Sequence, residues 1–124
     1  MSGIKLLLDT NIIIYFLRGD LIAKNIISEN DIYISIITEM ELLSFPGLSI
    51  KNVNDIRNLL STFTIINITQ EIKELAIDIK QNHKIKLPDS IISATSQYLK
   101  IPIVTADKDL FAIQELEIIN YSNE

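Results

Sequence analysis

The stretch Lys5-Leu6-Leu7-Leu8-Asp9-Thr10-Asn11-Ile12-Ile13-Ile14-Tyr15-Phe16-Leu17 decides the fold. Lys5 to Leu8 reads as a strand. Its apolar run has no polar interruption, which suits a strand covered on both faces, as in a parallel sheet. The segment after Asp9 admits two readings. The β-branched run Ile12-Ile13-Ile14, with Tyr15, favours a second strand and a hairpin turning at Asp9-Thr10-Asn11. A helix over Asn11 to Leu17 instead provides the right-handed crossover that joins parallel strands. The helical look of Leu21 to Ile27 favours the crossover.

The rest of the chain settles the class. Further strands are predicted at Ile32–Ser35, Phe63–Ile66 and Ile103–Thr105, with a short last one at Ile118–Ile119. Between Thr69 and Asn82, Ile72, Leu75, Ala76 and Ile79 recur at the spacing of one helical face. Thr69 suits the N-cap and Glu71 the first turn. Asn52 to Leu60 repeats the pattern with Val53, Ile56 and Leu60. Asp89 to Leu99 does so with Ile91, Thr95 and Leu99, and Pro88 suits a helix start. Alternating strand and helix predicts an α/β protein, a three-layer α/β/α sandwich on a central, mostly parallel sheet.

At 124 residues, one domain spanning 1–124 is expected. Hydrophobic residues make up 48% and charged residues 22%, which excludes a disordered chain. The absence of cysteine excludes disulfides, thiolate zinc sites and thiol nucleophiles. No signal-like segment opens the chain and no apolar run is long enough to span a bilayer, so a soluble cytoplasmic protein without membrane contact is expected. The net charge of −5 argues against a generally basic nucleic-acid face. Yet the 16 acidic residues outnumber the 11 basic ones by little more than four acids in distinctive settings. Any nucleic-acid contact therefore has to be local.

Those four are Asp9, Glu41, Asp89 and Asp107. Each alone has an ordinary structural use. Asp9 and Asp107 suit helix N-caps after strands. Glu41 stands three residues after Thr38, the spacing of a capping box. Asp89 suits the first turn of a helix. Together they say more. The carboxyl ends of parallel strands share one edge, where ligands bind. Asp9 and Asp107 sit at such ends, and Glu41 lies one turn into the helix after another. Asp89 reaches that edge only through the tertiary fold.

The run Leu8-Asp9-Thr10-Asn11, then Ile37-Thr38-Glu39-Met40-Glu41-Leu42-Leu43, then Leu87-Pro88-Asp89-Ser90-Ile91-Ile92-Ser93-Ala94-Thr95, then Val104-Thr105-Ala106-Asp107-Lys108-Asp109, resembles the PIN domain. It is most similar to the single-domain ribonucleases of the VapC toxin family, over essentially the whole chain. The resemblance implies a Rossmann-like sandwich and an acidic cluster at Asp9, Glu41, Asp89 and Asp107, which serve as both catalytic residues and metal ligands. Asn11 falls on the polar position beside the first acid. Thr105 falls on the hydroxyl position before the last, where it orients carboxylates. The chain departs from the family at its end, because Leu110 rather than an aromatic follows Asp109. Asp107 is taken as the fourth acid and Asp109 as its possible substitute.

Oxygen-rich acids bind Mg2+ or Mn2+. The expected reaction is hydrolysis of an RNA phosphodiester to a 5′-phosphate and a 3′-hydroxyl. Lys84 and Lys86 are the candidates for phosphate contacts, whereas His83 reads as a solvated group. Tyr15, Phe16, Phe45 and Phe63 read as core or interface. The resemblance further implies a homodimer and a small antitoxin partner; direct DNA binding is not expected from this chain. A housekeeping PIN nuclease and a non-catalytic PIN-fold module are the alternatives. A phosphatase using Asp9 is disfavoured by Asn11, where that chemistry wants a second aspartate. A receiver domain is disfavoured by the lack of an acidic pair before Asp9.

Overall fold

A computed structural model of the protein describes residues 3–122. Strands β1 (Lys5–Leu8), β2 (Asp31–Ser35), β3 (Thr64–Ile66), β4 (Ile103–Thr105) and β5 (Ile118–Asn120) form one sheet in the order β3-β2-β1-β4-β5. Every pairing is parallel. Among the described residues six helices connect or flank them: α1 (Thr10–Leu17), α2 (Leu21–Glu29), α3 (Ile36–Leu43), α4 (Ile50–Leu60), α5 (Gln70–Asn82) and α6 (Leu87–Leu99). A 3-10 turn covers Lys108–Ala112.

The side chains of β1 divide the core. Leu6 and Leu8 face one side with Ile12, Ile13, Ile34, Ile56 and Leu60. Leu7 faces the other with Ile72, Ile79, Ile92, Ile103 and Leu110. This is the two-residue alternation of a strand, applied to a strand that is apolar throughout because both faces are covered. The α/β/α sandwich is therefore present, with α1, α2 and α4 contributing to one core and α5 and α6 to the other.

The hairpin reading of Asn11 to Leu17 is wrong, and the reason is tertiary. Both edges of β1 are occupied, by β2 and by β4, so no antiparallel partner can lie beside it. The isoleucines of α1 instead pack inward on a helix, where burial outweighs their strand preference. Asp9 starts α1 as its N-cap. Gly19, at φ +93, donates its N–H to the carbonyl of Phe16 and ends it, the left-handed stop that glycine makes without strain.

Other boundaries differ from the sequence reading for local reasons. β3 begins at Thr64 rather than Phe63, because the Phe63 N–H is engaged by Leu60 in the turn before it. α4 begins at Ile50 because Ser49 and Asn52 form a reciprocal capping box. α6 begins at Leu87, two residues ahead of Asp89, with Pro88 in its first turn. β5 extends to Asn120, which pairs with Thr105. No described helix is long and apolar enough to cross a membrane.

The strand order reverses at β1. The chain passes from β1 to β2 on one side and reaches β4 on the other. At such a switch point the loops leave in opposite directions and a crevice opens beyond the carboxyl ends of the strands.

Candidate active site

The crevice is a pocket of about 450 Å³. Asp9, Glu41, Asp89 and Asp107 all line it, with Thr10, Asn11, Ile14, Ser44 and Phe45. Among the described residues, no lysine, arginine or histidine does.

Asp9 stands at the centre, at the end of β1, and is only 6% exposed. Its Oδ1 accepts from the N–H of Thr10 at 2.8 Å. Its Oδ2 accepts from the Thr105 hydroxyl at 2.7 Å. Burial pushes its carboxyl above the usual aspartate range; the Thr105 and Thr10 hydrogen bonds pull it back, and the charges of Asp107 and Glu41 add to the rise.

Thr105 is fully buried on β4. While donating to Asp9, its Oγ1 accepts from the N–H of Asp107 at 3.0 Å. One hydroxyl thus fixes the first acid and the backbone of the last. Asp107 N-caps the 3-10 turn, where its Oδ1 accepts from the N–H of Asp109 at 3.0 Å. Asp109 itself is exposed and does not line the pocket.

Glu41 projects from α3. Its Oε1 accepts from the Thr10 hydroxyl at 2.6 Å. The Thr10 oxygen lies 3.0 Å from that of Thr38. Thr10 has one hydroxyl proton, and that proton goes to Glu41. Thr38 is therefore the donor to Thr10, and the three groups form a directed chain ending on Glu41. The capping-box use of Thr38 and Glu41 does not occur: Ser35 caps α3 and accepts from Ile37 at 3.0 Å. Sequence alone does not single out Thr10 and Thr38 as orienting groups. Their only local signal is a hydroxyl beside or three residues before an acid, which is too common to carry weight.

Asp89 enters from the first turn of α6, half-buried. Burial first, and then the charges of Asp9, Asp107 and Glu41, push its carboxyl up to about 6, while Lys86 pulls the other way. Lys86 is exposed at the N-cap of α6 and within electrostatic reach of this acid. Lys84 is exposed outside the pocket, and His83 is the C-cap of α5.

Among the described residues, no three acidic or histidine side chains are drawn close enough to cage an ion as they stand. The donor set is nonetheless the one a hard dication takes, four carboxylates with no nitrogen or sulfur among them. Burial, and after it like-charge crowding, raises the Asp9 and Asp89 carboxyls, and a cation beside them would favour their charged forms.

Beside the acidic pocket lies a second of about 450 Å³, lined by Leu17, Leu42, Leu48 and Ile56 among others. Ile14 and Phe45 line both. Phe45 is thus not buried core, the first of the two roles its sequence suggests, and it stands beside the acids.

The PIN domain model matches residues 6–116. The chain is similar to one chain of a toxin–antitoxin complex from Klebsiella pneumoniae, at 35% identity and a TM-score of 0.81, covering 96% of this chain and 97% of that one. It is similar in fold to a chain of the DNA-bound VapBC complex from Salmonella typhimurium, at 18% identity and a TM-score of 0.80, covering 94% and 98%. The same holds for a chain of VapBC2 from Rickettsia felis bound to a promoter DNA fragment, at 24% identity and a TM-score of 0.78, covering 95% and 99%. No curated protein matches the chain.

Proposed function

The chain belongs to the PIN domain family, and from that premise we propose that it is a Mg2+- or Mn2+-dependent endoribonuclease, the toxin of a toxin–antitoxin pair. The observation that carries this reading is the gathering of Asp9, Glu41, Asp89 and Asp107 around one pocket at the sheet's switch point. The similarity to toxin–antitoxin chains supports the toxin role.

In this reading the four acids hold the metal. The bound dication supplies Lewis-acid polarisation of a phosphoryl oxygen and a more acidic water. The chain's own residues do the positioning. Thr105 keeps Asp9 aimed into the pocket, and the Thr38–Thr10 chain does the same for Glu41. A carboxylate orients the attacking water and takes its proton, and the water oxygen bonds to phosphorus as the bond from phosphorus to the 3′ oxygen breaks. The leaving oxygen takes a proton from solvent, giving a 3′-hydroxyl and a 5′-phosphate. Asn11 lines the pocket beside the first acid and is a polar contact for substrate. Lys86 holds a flanking phosphate; Lys84, farther out, contributes less. Asp109 supports Asp107 through the backbone. The tail of a small antitoxin covers the active site, and two copies of the chain pair as a cytoplasmic homodimer.

The test is cleavage of RNA by the purified, antitoxin-free chain in Mg2+, Mn2+ or EDTA, beside Asp9→Asn. Cuts that need metal, carry 5′-phosphate ends and vanish in the variant are expected. Equal cutting by the variant, or none by a folded wild type on any RNA, would refute the reading.

A further inference from the structure

Resting on the ribonuclease reading, we propose that Phe45 is a stacking platform for an unpaired nucleobase flanking the scissile phosphate. The acidic pocket then has a nucleobase subsite at its rim.

Three observations converge on this residue. The ring is 47% exposed while lining the same pocket as the four acids. A large aromatic left half in water beside a polar cleft gains on covering its face.

The ring is also held on a fixed base. Phe45 follows Ser44, the C-cap of α3, and precedes Pro46-Gly47. Gly47 has φ +81. Proline then glycine of positive φ is the pairing that a type II turn takes, and a residue before proline is restricted to extended backbone. The platform is therefore largely ordered before ligand arrives, which lowers the cost of using it.

The third observation is electrostatic. Among the described residues no basic side chain lines the pocket, and the chain carries a net charge of −5. Phosphate neutralisation, which supplies most of the affinity in ordinary nucleic-acid binders, is scarce here. Apart from the metal, Lys84, Lys86 and Arg18, which lines the neighbouring pocket with Phe45, affinity has to come from uncharged contacts. Base–aromatic stacking is the strongest of these and accepts any base, because every base has a π-face. The base has to leave its own stack to reach the ring, and so an unpaired position is selected.

The chain contains no tryptophan, so F45W provides a single reporter. In an Asp9→Asn background with Mg2+, where cleavage is slow compared with the binding measurement, its emission is expected to be quenched by a short single-stranded RNA and not by the same sequence in a duplex. In the active chain, F45A is expected to raise KM on single-stranded RNA by roughly 5- to 150-fold, the worth of one stacked base. Its kcat should stay within about twofold, the signature of lost uniform binding. F45Y should keep the wild-type KM. Removing the flanking base as an abasic nucleotide should weaken the wild type equally and the F45A variant no further, which a merely structural effect would not produce.

An unchanged KM in F45A, or additive losses from F45A and the abasic RNA, would overturn the proposal. So would F45W emission indifferent to RNA but altered by an antitoxin helix, which would give Phe45 to a protein interface. If the wild type cut no RNA at all, the ribonuclease reading would fall, and F45W quenching would still decide whether bases stack there.

Discussion

Leu8 and Asp9 are neighbours at the end of one strand, both nearly sealed from water, and they act on the fold in opposite directions. Leu8 is fully buried among isoleucines and contributes a few kcal/mol by leaving water. Asp9 is almost as deep, and its charged form is opposed by that burial and by Asp107 and Glu41. The core below the sheet edge stabilises the fold, whereas the pocket at the edge costs stability and concentrates that cost in one place. Two threonines, Thr10 and Thr105, hold the unfavourable arrangement in position. A locally destabilised site of this kind is where function outweighs stability.

The sharpest way to break this contrast is at the centre of the pocket. Asp9→Asn retains a side chain that caps α1 as well as aspartate does. It is expected to lower metal-dependent cleavage by roughly 100-fold or more, the several kcal/mol that ligand loss removes from metal catalysis. Its metal-free stability should equal or exceed that of wild type. A urea melt showing marked destabilisation would mean that Asp9 is a structural acid.

The converse change lies one residue back. Leu8→Ala is expected to destabilise by about 2–5 kcal/mol, the range for truncating a sealed core leucine. Specific activity of the fraction that remains folded should fall far less than in Asp9→Asn. Cleavage normalised to folded protein, measured by circular dichroism, checks this.

The threonines sharpen the contrast. Thr105→Val removes the hydroxyl shared by Asp9 and the Asp107 backbone, and cleavage is expected to fall about 10- to 100-fold, as for other groups that orient ligands. Thr105→Ser should restore most of it. Thr10→Val should act in the same direction, through Glu41. If valine and serine behaved alike in a cleavage assay, the hydroxyls would have no orienting role.

The pH dependence is the subtlest effect. Asp89 has its folded carboxyl raised to about 6, above its ordinary value of 3.8. Between those values the folded chain holds a proton that the unfolded chain releases. Metal-free stability is therefore greatest below the lower value and declines as pH rises through about 6. Asp9, shifted in the same direction, adds to the decline. Thermal melts across this window in EDTA should show a falling Tm, with a shallower slope in Asp89→Asn. A Tm that rose over the window would put the sign of the electrostatics in error.

Much of the molecule is legible in the chain, for identifiable reasons. Continuous apolar strands such as Lys5–Leu8 announce a sheet covered on both faces, and the i, i+3, i+4 spacing in Ile72, Leu75 and Ala76 leaves little choice for α5. The four acids stand out because each sits in a short setting tied to a strand or helix end, and the structure brings all four to one pocket. The features that escape a sequence reading are decided at long range. Ile12 to Tyr15 look like a strand until β4 occupies the edge that a hairpin would need. Thr10 meets Thr38 and Glu41 from 28 and 31 residues away, separations that no local pattern records. Phe45 reads as core or interface from the sequence, and only the turn at Pro46-Gly47 and the two pockets it borders set it at the rim.

The contrast between core and pocket comes to a single experiment: thermal melts of wild type and Asp89→Asn at neutral pH, in EDTA and across a Mn2+ titration. In EDTA the variant should melt at or above wild type, because it carries one fewer crowded charge. Saturating Mn2+ should raise the wild-type Tm and leave the variant nearly unmoved, reversing their order. Equal shifts in both proteins, or none in either, would contradict a stability-costing acidic pocket built to hold a dication.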